Sequence, residues 1–412
     1  MITIFISNRF GSMDTPRLVV ADYRAGRVYA VRGAAVNPLG CGVLAEHAGV
    51  LSLPERAGRS RGWAFVDDRG GALVVHTGDE RLRIPVAIPG EHLACDVTGR
   101  YVVITTGMGA NADVWSDVVT VVDVDQNESV RFRTRVGEPG VLVVPDQRDG
   151  EPAIVLRHRE PGAIEAIPLR DGLGVGSHVP ELRGRATTDL AADGHGDAVD
   201  HRTGIAATAT SRGLERFVID QGVPRMIGRT PWPVPGRAFY LRFDPATGRA
   251  VGVVRGGPTS PGQWTAWTNH LVDVDLSTGH TRSTELPPGL AFRFALGGGR
   301  AAVATIHPDG DEVTIVDRSG TDLHRLRTVS LPALSRPPAA GHLPWDPVGD
   351  SPAQRRAIAL DPTGSMVAVT RGGDSQLHLI GDDGIDTLSV PTPLDEGGHL
   401  YWHGGAVDPV GR

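Results

Sequence analysis

Lysine does not occur among the 412 residues of this chain; all 41 basic side chains are arginine. The absence reads as the mark of a high-GC, actinobacterial genome, and it has a chemical consequence. A lysine Schiff base, a pyridoxal-phosphate anchor and a P-loop lysine are all excluded. Cysteine is almost as scarce. Cys41 and Cys95 fall in separate repeats with no paired spacing, so neither a disulfide framework nor a zinc knuckle is indicated. No apolar run approaches the roughly 18 residues of a membrane span, and the N-terminus lacks the charged, apolar and small-residue zones of a secretion signal. The expectation is a cytoplasmic protein, monomeric, with no membrane partner. The net charge of -7 is spread along the chain and no basic patch appears, which argues against a nucleic-acid partner. Gly-x-Ser-x-Gly, His-Glu-x-x-His and Cys-x-x-Cys are also missing, so the common hydrolase and zinc signatures are absent.

What the chain does have is turns and β-branched runs. Gly 54 and Pro 31 punctuate short Val-, Ile- and Thr-rich segments, and no window carries a long helical stripe. A unit recurs in which an apolar strand runs into a tight acidic turn and a second apolar strand. It is seen in Ala357 to Thr370 and in Phe239 to Val254. The chain's two ends read as the halves of one more unit, Ala406 to Arg412 continued by Met1 to Ser7. A repeat cut across the termini predicts a closed ring, in which the C-terminal strand pairs with the N-terminal strands and no sheet edge is left open.

The turn residues Asp67, Asp96, Asp146, Asp200, Asp244, Leu296, Asp361 and Asp408 anchor the units at a mean spacing of about 49, a blade-sized period. The fold class is therefore all-β: one β-propeller domain over 1–412, with eight blades favoured. Seven blades stay open because the interval from Asp67 to Asp96 is short. Residues 331–355, rich in Pro and Ala, read as an insertion between two blades. The blade pattern Ile358-Ala359-Leu360-Asp361-Pro362-Thr363-Gly364-Ser365-Met366-Val367-Ala368-Val369-Thr370, with Asp275-Leu276-Ser277-Thr278-Gly279 elsewhere, resembles the blades of YVTN-type and lactonase-like β-propellers. The YVTN tetrapeptide is itself absent, and no catalytic residue of a lactonase or lyase matches position by position.

In a propeller, the second-to-third and blade-to-blade connections open on one face. The long connections 107–116, 255–269, 305–312 and 331–355 all belong to that set, as do Trp115, Trp264, Trp267 and Trp345. Trp402 is assigned between blades and Trp63 to the start of a first strand. Tryptophans gathered on one rim suggest a substrate-binding surface of Trp115, Trp264, Trp267, His342, Trp345 and Trp402. The alternative is that they plug gaps between blades. Histidine recurs at blade entries, in Gly341-His342-Leu343-Pro344-Trp345, in Gly398-His399-Leu400-Tyr401-Trp402-His403 and before Asp197 at His195. His195, Asp197, His399 and His403 are the catalytic candidates. Imidazole and carboxylate converging at the channel mouth would serve as acid and base, and His195, His399 and His403 would be the ligands if a divalent metal is held. The functional expectation is an enzyme, a lyase, cyclase or hydrolase, admitting a small molecule or peptide to a Trp-, His- and Asp-lined funnel. The alternative is a non-catalytic scaffold that binds a protein or peptide.

Overall fold

The computed structural model describes residues 17–403 except 45–46, 56–61, 79, 109–114, 185, 292 and 348. Eight antiparallel sheets of four strands follow one another, and seven of them are ordered along the chain. These seven blades occupy 51–85, 90–134, 140–189, 196–230, 237–286, 294–331 and 358–389 and are numbered 2 to 8 here. Blade 1 joins the two ends of the described chain. Its innermost strand, His399–His403, pairs antiparallel with Arg17–Asp22, and Arg27–Arg32 and Ala35–Cys41 follow outward.

The aspartate anchors explain why the inner hairpins turn where they do. Asp96 Oδ1 accepts the Tyr101 amide at 2.8 Å and Asp361 Oδ1 accepts the Met366 amide at 2.8 Å, the same five-residue clasp in two blades. Asp146, Asp200 and Asp244 each accept the amide two residues on. These are local caps that a short carboxylate makes and an apolar residue cannot. Successive side chains then alternate between the two faces of each sheet, and each face packs against the next blade.

A separate apolar core fills every one of the eight seams. Phe65 and Val19 meet between blades 1 and 2, Leu73 and Leu93 between 2 and 3, Phe132 and Leu156 between 3 and 4, and Phe217 and Leu142 between 4 and 5. Leu214 and Phe243, Val253 and Phe294, Ile315 and Leu360, and Leu377 and Leu18 continue the series back to blade 1. The ring closes through packing as well as through the ladder of blade 1.

Eight blades and closure by the C-terminal strand agree with the sequence reading, but three assignments shift. The closing strand is His399–His403, paired with Arg17–Asp22; the expected partners Ala406 to Gly411 and Ile2 to Ile6 lie outside the described residues, as does Asp408. Asp67 ends the second strand of blade 2, because the first strand is only Leu51–Leu53, and this misplacement produces the short interval before Asp96. Trp63 accordingly lies on a second strand and Trp402 on an innermost one. The segment between Leu331 and Ile358 does connect blades 7 and 8.

Candidate functional site

The innermost strands surround a central channel. On the face where the second-to-third and blade-to-blade connections open, it widens into a cavity of about 150 Å³, lined among others by His47, Tyr240, Arg242, Arg293, Arg355 and His399. Toward the opposite face lies a second cavity of about 300 Å³ whose lining includes Ser52, Asp244, Gly297 to Gly299 and Trp402. The upper mouth is where ionisable groups from different blades converge.

His399 enters the mouth from blade 1. Its Nε2 is buried and has no hydrogen-bond partner among the described residues. Burial first, then the charges of Arg293, His47 and Arg355, push its pKa down to about 3, so the imidazole is neutral near pH 7. Arg293 donates to the Gly398 carbonyl at 2.7 Å, immediately before His399. Arg355 pairs with Glu396, which also takes Arg24 at 2.7 Å. Burial would raise the Glu396 pKa, but the Tyr23 hydroxyl and the two guanidiniums more than offset it and hold the carboxylate ionised. Arg242 is fixed by a 3.0 Å bond from its Nε to the Phe294 carbonyl.

His47 supplies a second imidazole. Its Nδ1 lies 2.6 Å from Glu91 Oε1, an arrangement that orients the ring. Arg159 donates through Nη2 to Nδ1 of His195 at 2.8 Å, which leaves the His195 proton on Nε2. The His195 ring stands edge-on to Phe239 at 5.4 Å and tilted to Tyr240 at 6.0 Å, and Tyr240 lines the mouth.

The four catalytic candidates do not meet at one point. His399 and His403 begin and end one strand, so four residues at about 3.3 Å each put them roughly 13 Å apart. His403 sits near His76 of blade 2, whose pKa is lowered to about 4 by burial, then Arg81, then His403. Asp197 lies in the wall between blades 4 and 5, paired with Arg157 Nε at 3.0 Å and accepting from Thr208 at 2.7 Å; both partners of the pair are 2% exposed. Gly140 is required beside them, because a Cβ there would collide with the Arg157 guanidinium and the Asp197 carboxylate. Among the described residues no group of three or more His, Cys, Asp or Glu side chains could hold a metal ion.

The tryptophans divide. Trp264 is fully buried and donates to the Ala339 carbonyl at 3.0 Å, pinning the 331–355 connection, and Trp267 joins it in a small cluster with Leu290, Ile306 and Leu334. Trp402 packs in the seam between blades 8 and 1. Trp115 is half-buried beneath the Arg183 guanidinium. Trp345 is 51% exposed and His342 is exposed near it. Arg242, Arg293 and Arg355 were not among the sequence candidates. They precede the anchors Asp244, Leu296 and Asp361 by two, three and six residues, within the same blade-entry window that the histidines drew attention to.

No family model and no curated protein matches the sequence. Solved structures do resemble the fold. Apo AztD from Citrobacter koseri superposes over 96% of this chain and 100% of its own, with TM-score 0.59 at 14% identity. Dihydro-heme d1 dehydrogenase NirN in complex with DHE matches over 96% of this chain and 77% of its own, with TM-score 0.57 at 12% identity. A protein assigned as a 6-phosphogluconolactonase from Bacteroides fragilis covers 95% and 99%, with TM-score 0.50 at 12% identity. At such identities the likeness is one of fold, and the chain is an eight-bladed β-propeller.

Proposed function

We propose that the upper channel mouth binds a small organic anion, a carboxylate or phosphate ester, and that the protein acts on it as an acid–base enzyme of the lyase or hydrolase type. The observation that carries this reading is the neutral His399 imidazole, with a buried Nε2 lacking a partner among the described residues and guanidiniums from two other blades beside it. Arginine matches an oxyanion in shape and charge, and a low-dielectric cavity strengthens the attraction. His47, oriented by Glu91, is the candidate base, and His399 is the candidate hydrogen-bonding group at the reacting end. The scaffold alternative leaned on an aromatic rim, and it weakens because Trp264 and Trp267 are buried.

The test is a thermal-shift panel of small carboxylates and phosphate esters at low ionic strength on the wild type and on Arg355→Gln. The reading expects at least one acid that raises the melting temperature of the wild type and does so more than tenfold less potently in the variant. For that acid, His47→Asn should slow turnover with little change in binding. A panel in which no anion stabilises the wild type, or in which the variant responds equally, contradicts it.

A further inference from the structure

Arg255 is the penultimate residue of the second strand of blade 6, Arg249–Gly256, on the same face as the mouth. Its guanidinium carbon lies 4.0 Å from the centroid of the Phe239 ring and 3.9 Å from that of Trp267. Trp267 is 5% exposed and locked in its apolar cluster, so the aromatic backing is rigid. Phe239 also carries Arg237 at 4.3 Å, and that guanidinium has a counter-ion in Asp193 at 3.4 Å. Arg255 differs: among the described residues it makes no ion pair and no side-chain hydrogen bond. Burial first, and then the like charge of Arg237, lower its pKa to about 10, with Tyr240 acting in the opposite sense. It therefore remains a cation at neutral pH.

A half-buried cation is costly unless something answers its charge. Two aromatic faces offset part of that cost. Both rings lie against the guanidinium carbon, and its N–H groups, which make no side-chain hydrogen bond among the described residues, form the planar fork that fits the two oxygens of a carboxylate or phosphate. We propose that Arg255, backed by Phe239 and Trp267, is an oxyanion-binding subsite on the wall of the channel mouth. Tyr240 connects the two, since it lines both the channel cavity and the small recess formed with Phe239, Val253, Arg255 and Ala291. The recess itself holds only about 10 Å³, so the anion sits on the open edge of the guanidinium. The inference goes beyond the proposed function, because it holds whether or not the mouth performs chemistry.

Trp267 makes the subsite observable. Inorganic phosphate and malonate are titrated separately at constant ionic strength into the wild type, Arg255→Gln, Arg255→Lys and the double variant Arg293→Gln/Arg355→Gln, following tryptophan emission. The wild type should give a saturable change with at least one of the two anions. Affinity should fall more than tenfold in Arg255→Gln and by a smaller factor in Arg255→Lys, which keeps the charge and loses the planar fork, and the double variant should retain the response. If Arg255→Gln does not fold, the weakening in Arg255→Lys carries the test. No saturable change with either anion, or affinity unchanged in the Arg255 variants, overturns the subsite. Loss of the response in the double variant alone would assign it to the mouth arginines and overturn it equally.

Discussion

Asp197 and His195 stand two residues apart at one blade entry and have different surroundings. Asp197 is sealed against Arg157, so Asp197→Ala would leave a buried guanidinium without its carboxylate, a loss of about 3–5 kcal/mol. His195 is half-buried, and its ring can be removed without stranding a charge in a core. Thermal denaturation should therefore show Asp197→Ala melting far below the wild type and His195→Ala close to it; equal melting of both variants would contradict the structural role of Asp197. Acid stability follows from the same local accounting. Burial, foremost, holds His399 at about 3 and His76, His201 and His378 at about 4, below the ordinary 6.5. Between about 4 and 6.5 the unfolded chain thus binds more protons than the folded one, so stability falls as pH drops through that window. Denaturant midpoints should be lower at pH 5 than at pH 7, and His378→Asn should flatten the slope. At this scale the sequence exposed the blade-entry histidines, because Gly-His-Leu recurs. It could not separate an imidazole open to a cavity from a carboxylate spent on an ion pair, since that depends on Arg157 reaching Asp197 from 40 residues away. The mouth arginines were hidden for the opposite reason: among 41 arginines, the blade-entry position of these three is their one local mark, and their residue type is too common to draw attention to it.

Strands and turns were more legible. The aspartate anchors are local devices whose capping partners lie within five residues, so their spacing survives into the structure at Asp96, Asp146, Asp200, Asp244 and Asp361. Asp67 misled because the same capping chemistry also suits a second-to-third turn: its Oδ1 accepts the Gly70 amide at 3.2 Å. The closing strand was foreseen in kind and misplaced in position. His399–His403 lacks the acidic turn signature, and its place in the ring is set by long-range pairing with Arg17–Asp22. A chain ending at Gly398 should lose that ladder and expose Leu18 and Val20, which are buried in the native seam. Its cooperative melting transition should drop by tens of degrees or give way to aggregation; a transition within a few degrees of the full chain would mean that blade 1 does not depend on the strand.

Around the whole ring, eight seam cores of similar make distribute stability evenly and leave no blade as the nucleus of a single interior. The channel is thus free to carry polar groups that no core would tolerate. Connection lengths revealed the face asymmetry only in part: 107–116, 255–269, 305–312 and 331–355 open on one side, but 169–185, between the third and fourth strands of blade 4, leaves from the other. Which of their aromatics would be exposed was not readable, because Trp264 is buried by a contact with Ala339, 75 residues away. The proposed anion site at the upper channel mouth can be seen directly. A crystal of the protein soaked in selenate locates it directly by anomalous scattering. A selenium peak is expected within hydrogen-bond distance of the Arg293 and Arg355 guanidiniums and facing Nε2 of His399; a well-occupied peak elsewhere, with the mouth empty of selenate, would contradict an anion site there.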